Sequence, residues 1–245
     1  MSQWLFDLGN SRFKFAPLQG DRAGDVQAWA HGAEEMTATA LDALPAGEVA
    51  WVASVASPAL TTAVMQVLRE RFAQVRTASS SAQCAGVRIA YARPQRFGVD
   101  RFQALLAAAP ANVPVVVAGV GTALTIDLLD AEGLHRGGRI AASPTTMRQA
   151  LHARAVQLPE SGGDYAEFAH DTGDALASGC DGAAVALIER SLAQANDLLG
   201  AMPQLLLHGG GGPALLPLLP QAQYRPSLVL DGLARWAVHQ PVVEG

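Results

Sequence analysis

The stretch Trp4–Lys14, WLFDLGNSRFK, recurs in altered form at Val116–Ile126, VVAGVGTALTI. When the two are aligned, Leu8-Gly9-Asn10 falls on Val120-Gly121-Thr122. Apolar residues before each glycine and a small polar residue after it predict a buried strand, a tight turn and a returning strand. Such a turn exposes backbone N–H groups, and its glycine lets a phosphate approach closely. One such turn in each half of the chain predicts a duplicated fold that holds a polyphosphate.

The two copies differ most at one position, where Asp7 in the first copy aligns with Gly119 in the second. Two interpretations of Asp7 are open. The carboxylate either orients a hydrated Mg²⁺ while the turn binds phosphate, or it forms an ordinary Asx turn in a hairpin. The motif alone favours the Asx turn, whereas the presence of a second copy favours the phosphate site.

Composition limits the classes of function. The chain has 245 residues, of which 50% are hydrophobic and 16% charged, so it can bury a sizeable core. A formal net charge of -5 argues against a broad nucleic-acid-binding face. Cys84 and Cys180 have no metal-binding spacing and are expected to be buried free thiols. Without a signal-peptide pattern or a long apolar run, the sequence predicts a soluble, cytoplasmic protein with no membrane partner.

Strand and helix patterns alternate in both halves, which predicts mixed sheets covered by helices. Residues 3–18 read as a hairpin with its turn at 7–10. Further strands are predicted at 26–30, 49–55, 74–77, 87–91, 115–119, 122–130, 134–141 and 204–208. Helices are predicted at 34–44, 58–72, 100–109, 144–156, 172–199 and 214–219, and a last helix follows residues 224–230. The break near 110–114 predicts an N-terminal domain over 1–112 and a C-terminal domain over 113–245.

A second candidate site is Tyr91–Arg101, YARPQRFGVDR. Asp100 either takes a proton from a substrate hydroxyl or caps a helix N-terminus. Arg101 correspondingly either pairs with a phosphate or carboxylate or lies in solvent. Taken alone, the capping interpretation is the more common one.

Other polar and glycine-rich stretches carry less information. The run Gly209–Gly212 either lies against a nucleotide or forms a plain loop. Asp127 lies too far along its strand from the second turn to belong to it, so either a structural role or an indirect role, through residues that contact the ligand, is expected. The remaining candidates are His135, His152, His170 and His208, which show no metal-binding spacing.

Taken together, the motifs resemble those of type III pantothenate kinases, a family in the superfamily of acetate and sugar kinases, heat-shock chaperone ATPases and actin. That family shows DxGN(S/T), YxxPxxxGxDR, DxGTAxTxD, GGxIxPG and NTxxAxxSG in this order. The chain has DLGNSRFK, YARPQRFGVDR, GVGTALTID, GGRIAASP and DTGDALASG in the same order. The resemblance covers most of the chain.

The resemblance implies an α/β fold of two duplicated ribonuclease H-like domains, as in actin-like ATPases. It also implies phosphorylation of pantothenate by ATP, the first step of coenzyme A biosynthesis, by a homodimer whose interface completes the substrate site. Asp100 would be the general base, and Asp7 would bind Mg²⁺ through water. The implied ATP-binding residues are Asp7, Leu8, Gly9, Asn10, Ser11, Arg12, Phe13, Lys14, Gly121 and Thr122. The implied pantothenate-binding residues are Tyr91, Gly98, Val99, Asp100, Arg101 and Thr172.

The chain departs from the family pattern at positions with a predicted consequence. The family's second-copy aspartate, which helps bind a monovalent cation such as K⁺ or NH₄⁺, is Gly119 here, and a threonine before the late glycines is His208. The loss of that negative charge predicts an altered cation requirement. Two alternatives stay open: a catalytically weakened accessory protein like the Bvg accessory factor branch, and a sugar-type kinase with another alcohol substrate.

Overall fold

Two β-sheets form the frame of this computed structural model, which describes residues 2–30, 41–109 and 112–240. The first half contains β1 Gln3–Leu8, β2 Arg12–Gln19, β3 Arg22–Ala23, β4 Gln27–Ala30, β5 Gly47–Ser54, β6 Phe72–Thr77, β7 Gln83–Cys84 and β8 Val87–Arg88. The second half contains β9 Val115–Val120, β10 Ala123–Leu129, β11 His135–Ala142, β12 Gln204–His208 and β13 Ala222–Tyr224.

Helices cover these sheets, as the alternating pattern predicts. They are α1 Pro58–Arg71, α2 Val99–Ala108, α3 Pro144–His152, α4 Thr172–Leu199, α5 Gly212–Leu215 and α6 Leu228–Val238, with 3-10 turns at Pro94–Arg96 and Leu216–Leu218. Serine side chains start two of them: Ser57 accepts from the Leu60 N–H, and Ser143 accepts from the Thr146 N–H. A proline follows each serine, so both helix starts combine a side-chain cap with a residue whose φ suits the first turn.

The two sheets have the same strand order, which is the duplication that the sequence predicts. The first runs β3-β2-β1-β5-β6, with β4 beside β2, and the second runs β11-β10-β9-β12-β13. In each, a central strand has an antiparallel neighbour from its own hairpin and a parallel neighbour from later in the chain. The strands β1, β2 and β5 therefore correspond to β9, β10 and β12.

Each sheet buries one face in its own apolar core. Alternate residues of β1 and β2 pack on α1, namely Phe6, Leu8, Phe13 and Phe15 against Leu60, Val64 and Leu68. Alternate residues of β9 and β10 pack on α4, namely Ala118, Val120, Leu124 and Ile126 against Ala184, Ile188 and Leu192. Because neighbouring strand residues point to opposite faces, Asp7 and Gly119 both face away from these cores.

Contacts divide the chain into two compact units. One contains Met1–Pro110, Gly133–His135 and Ser227–Gly245, and the other contains Ala111–Glu132 and Arg136–Pro226. The predicted domains, 1–112 and 113–245, stay a prediction, since a grouping by contacts does not show which segments fold as domains. The predicted helix at 34–44 and the boundary at 110–114 lie partly outside the described residues.

Several predicted boundaries are wrong in detail. The first turn lies at residues 9–11 instead of 7–10, because Asp7 and Leu8 are paired strand residues. The strand predicted at 87–91 is only two residues long, and the helix predicted to reach residue 156 ends at His152. The last helix begins at Leu228, inside the stretch 224–230 that the sequence pattern places before it. Of the two free cysteines, Cys180 is buried as expected, whereas Cys84 is only half-buried.

Helix α6 packs against α2 so closely that Gly232 has no room for a side chain. A Cβ at this position would fall on the backbone carbonyl of Gln103 in α2, far inside van der Waals distance. The carbonyl belongs to a helix and cannot rotate away. We expect Gly232→Ala to lower the free energy of unfolding by about 2–4 kcal/mol, measured by urea denaturation.

The matched control for this prediction is Gly182→Ala in α4. A Cβ there meets only the Tyr165 ring at 3.7 Å, an ordinary contact. Alanine favours helix over glycine by roughly 1 kcal/mol, so this variant should unfold at an equal or higher urea concentration. Equal stability of the two variants would contradict the close approach of α2 and α6.

Candidate active site

Asp7 and Lys14 face each other across the first hairpin. They are directly paired residues of the antiparallel strands β1 and β2. The turn that joins these strands is closed by the Gly9 N–H, which donates to the Arg12 carbonyl at 3.0 Å. Asp7 therefore belongs to the strand and not to the turn, so the Asx-turn interpretation is wrong. Its carboxylate leaves the strand on the face opposite the aromatic core.

The Asp7 carboxylate is buried and held close to other charges. Only 9% of the Asp7 surface is exposed. Burial raises the pKa of its carboxyl from 3.8 to about 7. The Lys14 ammonium opposes this rise, while the negative charge of Asp100 adds to it. Burial also lowers the pKa of Lys14, against the pull of Asp7. The fold thus brings Asp7, Lys14 and Asp100 within electrostatic reach of one another.

Asp100 lies in the first turn of α2 and is not its cap. The N-cap of α2 is Gly98, whose lack of a side chain leaves room for the aspartate. A Cβ at Gly98 would lie 2.7 Å from Asp100 Oδ1, too close for a real contact. The capping interpretation of Asp100 is therefore wrong, and the glycine two residues before it is explained by the space that the carboxylate occupies. Val99 between them is the first residue of the helix.

Arg101 is buried, with 7% of its surface exposed, so the expectation that it lies in solvent is also wrong. Its guanidinium carbon lies 4.5 Å from the centre of the Phe97 ring, and Nη1 donates to the Tyr91 hydroxyl at 3.4 Å. The Phe97 ring packs edge-on against Tyr91, with centroids 5.0 Å apart. The buried His135 ring completes this group, 4.9 Å from Phe97 and 5.9 Å from Tyr91. Aromatic faces hold the arginine head by cation–π attraction and fix its direction.

The other predicted ATP-binding residues of the first hairpin differ in exposure. Leu8 and Phe13 are fully buried in the core, so only their backbone groups can meet a ligand. The residues between them are open to solvent, with Asn10, Ser11 and Arg12 exposed and Gly9 half-buried. The turn therefore exposes short polar side chains, whereas the Gly9 N–H is already bonded within the turn.

The second turn is similar and is braced by a helix start. The Gly121 N–H donates to the Ala123 carbonyl at 2.9 Å, and Gly121 and Thr122 are exposed. Thr146, in the first turn of α3, donates from its hydroxyl to the Thr122 carbonyl at 2.6 Å. This brace was not predicted, since no sequence pattern links Thr146 to the turn.

The glycine run Gly209–Gly212 packs against the strand that leads into the second turn. Gly209 has a φ of +92°, and a Cβ on it would fall on the Val120 backbone. The Gly211 N–H donates to the Val120 carbonyl at 3.0 Å, and the Tyr224 hydroxyl donates to the Gly209 carbonyl at 3.1 Å. The close approach of two backbones accounts for Gly209 without a nucleotide.

Thr172 opens the long helix α4, in the second unit. Asp171 caps this helix by accepting from the Asp174 N–H at 3.0 Å, and that bond lowers the pKa of Asp171. Thr172 lines a surface cavity of about 430 Å³ together with His170 and Asp171. Its hydroxyl is exposed and thus accessible to a ligand.

Comparison with known proteins decides the family. The family model for type III pantothenate kinases matches residues 4–194. The type III pantothenate kinase of Stenotrophomonas maltophilia (strain K279a) is 74% identical over 241 residues, which cover 98% of this chain and 99% of the relative. The chain belongs to the type III pantothenate kinase family. The resemblance inferred from the motifs is therefore confirmed.

Solved structures of low sequence identity show the fold of this type III pantothenate kinase family member. A Campylobacter jejuni protein described as a Baf family transcriptional activator has a TM-score of 0.62 at 20% identity, covering 94% of each chain. The ethanolamine utilization protein EutJ of Carboxydothermus hydrogenoformans has a TM-score of 0.54 at 9% identity, covering 96% of this chain and 90% of the other. These likenesses, with the repeated strand order, confirm the predicted actin-like fold class.

Membership of the kinase family implies ATP, and the resemblance also implies Mg²⁺. Residues 2–30, 41–109 and 112–240 contain no group of three or more His, Cys, Asp or Glu side chains that could bind a metal ion. Mg²⁺ commonly binds through one or two carboxylates together with substrate phosphates, and Asp7 provides one buried carboxylate beside a phosphate-type turn. Asp7 therefore fits such a site.

Across the same ranges, each helix is too short or too polar to span a bilayer.

Proposed function

We propose that this chain transfers the γ-phosphoryl group of ATP to the primary hydroxyl of pantothenate, giving 4'-phosphopantothenate and ADP. This reaction is the first step of coenzyme A biosynthesis. The observation that carries the proposal is the position of Asp100, close enough to the buried Asp7 for its charge to raise the pKa of that carboxyl. A base for the alcohol and a carboxylate for the metal-bound phosphates are then within electrostatic reach of each other, which suits phosphoryl transfer.

Asp100 acts as the general base. Its carboxylate accepts the proton of the pantothenate hydroxyl while the hydroxyl oxygen forms a bond to the γ-phosphorus. The bond from that phosphorus to the oxygen bridging to the β-phosphate breaks, and ADP leaves with the electron pair. Gly98 supports this role, because a side chain there would displace Asp100 Oδ1.

Arg101, Tyr91 and Thr172 bind pantothenate. The guanidinium of Arg101 is fixed by the Phe97 ring and the Tyr91 hydroxyl. A buried, oriented guanidinium is suited to the pantothenate carboxylate, because its N–H groups can donate two parallel bonds. Thr172 is proposed to contribute its exposed hydroxyl, and Gly98 and Val99 are proposed to contribute through their backbone.

ATP is bound by the two turns. The hairpin residues 7–14 bind phosphate through the backbone around Gly9 and through the Lys14 ammonium, and Gly121 and Thr122 do so in the second copy. Asp7 would hold Mg²⁺ through water, and the metal would neutralise charge on the phosphates. Burial lowers the pKa of Lys14, and the Asp7 carboxylate partly opposes this fall by favouring the charged ammonium.

A homodimer is proposed from the apolar surface of the second unit. A cavity of about 550 Å³ between α3 and α4 has an apolar lining that includes Met147, Leu151 and Leu176. Nearby apolar side chains are also open to solvent, with Ile140 66% and Leu151 43% exposed. Apolar surface of this kind marks an association site, and a second copy of the chain is the proposed occupant.

The deciding experiment is a coupled assay of ADP release with pantothenate, Mg²⁺ and ATP. We expect turnover that depends on pantothenate and not on glucose. Arg101→Lys should raise the KM for pantothenate about tenfold or more with less effect on kcat, since lysine cannot donate two parallel bonds. Turnover with glucose would favour a sugar kinase, and nucleotide binding without any turnover would favour an accessory binding protein.

A further inference from the structure

The departures at Gly119 and His208 lie next to each other in the structure. Gly119 on β9 is paired directly with His208 on β12 and with Thr125 on β10. In the first copy, the corresponding Asp7 is paired with Ala53 on β5 and with Lys14 on β2. The second copy therefore has glycine where the first has aspartate, and a histidine imidazole where the first has an alanine methyl.

The imidazole occupies the space that an aspartate at position 119 would need. A Cβ on Gly119 would lie 2.7 Å from His208 Nε2, 2.9 Å from His208 Cε1 and 2.8 Å from Thr125 Oγ1. Real Cβ atoms do not approach other atoms this closely, so a side chain at 119 requires the His208 ring and the Thr125 hydroxyl to move from the positions they occupy. Glycine at 119 and histidine at 208 are thus one linked change, although they are far apart in the sequence.

This arrangement does not fit the monovalent-cation site that the family resemblance implies at position 119. The carboxylate that would bind the cation is absent, and ring atoms fill its place. A carboxylate beside a turn that binds a triphosphate repels it and calls for a counter-cation. Glycine removes that repulsion, and a neutral or protonated imidazole adds no negative charge.

We propose that His208 takes the place of both the aspartate and the cation, so that this chain positions ATP at the Gly121–Thr122 turn without K⁺ or NH₄⁺. His208 is a positioning residue here: its ring fixes the end of β9, from which the turn follows. The inference rests on the proposed binding of ATP at this turn. It also predicts that the cation site can be restored only when both positions are changed together.

The test compares wild type, Gly119→Asp, His208→Thr and the double variant Gly119→Asp/His208→Thr. Binding of the non-hydrolysable analogue AMPPNP is measured by calorimetry in choline buffer with and without 100 mM K⁺, and ADP release is measured alongside. We expect a change of less than twofold with K⁺ in wild type. The double variant should bind and turn over at least tenfold better with K⁺, and His208→Thr alone should bind AMPPNP more weakly in both buffers.

Gly119→Asp alone should lose AMPPNP affinity at least tenfold and not regain it with K⁺, because His208 blocks the site. Circular dichroism shows whether each variant is folded, and the His208→Thr result stands if Gly119→Asp does not fold. His239→Thr, a change at an exposed histidine, should match wild type. A K⁺ requirement in wild type, or a double variant indifferent to K⁺, would overturn the proposal. AMPPNP binding without ADP release at any cation would instead refute the proposed kinase function.

Discussion

Asp100→Asn should lower kcat for pantothenate phosphorylation by about 10²–10⁴-fold, the usual contribution of a positioned general base. Asparagine keeps the size and most hydrogen-bonding geometry of aspartate but cannot accept the proton of the alcohol. The KM for pantothenate should therefore change much less than kcat. Initial rates of ADP release over a range of pantothenate concentrations separate the two constants.

The matched control for Asp100→Asn is Asp25→Asn, which removes the same charge from an exposed bend of the same unit. It should keep wild-type kcat within about twofold. A rate for Asp100→Asn within tenfold of wild type would contradict the general-base role. Asp100 would then act only through its charge on Asp7, and a drop confined to the KM for ATP would be the sign of that role.

Local sequence patterns predicted the duplicated hairpins because each depends on neighbours along the chain. The alternation of apolar residues around Gly9 and Gly121 determines which face is buried, and Ser57-Pro58 and Ser143-Pro144 start helices by local bonds. These features need no knowledge of the rest of the fold. The shared strand order of the two sheets follows from the duplication that the motifs indicated.

Contacts between distant segments could not be predicted in this way. Sequence spacing favoured a capping role for Asp100, whereas the position of α2 puts its charge beside Asp7. The spacing of His135 suggests no metal site, yet the His135 ring packs against Tyr91 and Phe97. For His208, a signal did exist, since it and Gly119 both depart from the family pattern. Only the pairing of β9 with β12 shows that the two departures share one space.

Asp7→Asn should lower kcat/KM for ATP by about 10²–10³-fold, because it removes the carboxylate proposed to hold Mg²⁺ through water. Asparagine fills the same space on β1 and leaves the aromatic core on the opposite face unchanged. Raising the Mg²⁺ concentration should recover part of the lost affinity for ATP in the variant. A kcat/KM for ATP within tenfold of wild type, with an unchanged Mg²⁺ dependence, would contradict the proposed role of Asp7.

The same variant should make the ligand-free protein more stable at high pH. The pKa of Asp7 rises from 3.8 to about 7 on folding, so the folded state favours the protonated carboxyl. Its contribution to stability is fully present below pH 3.8 and is lost as the pH rises through 7.

At about 1.4 kcal/mol per pKa unit, the ionised carboxylate destabilises the fold by up to about 4 kcal/mol above pH 7. Asparagine resembles the protonated form and escapes this loss; the attraction of Lys14 for the carboxylate is already included in the pKa of about 7. Urea unfolding without nucleotide should therefore show Asp7→Asn more stable than wild type by up to about 4 kcal/mol at pH 8 and by only about 1 kcal/mol at pH 4.5. The control Asp25→Asn changes an exposed site and should match the stability of wild type at both pH values. If the stability difference between Asp7→Asn and wild type did not grow with pH, burial would not be destabilising the carboxylate. A buried acid that weakens the empty protein yet is needed for nucleotide use is what a site built to receive a cation should show, because the bound metal supplies the charge that the ligand-free fold lacks.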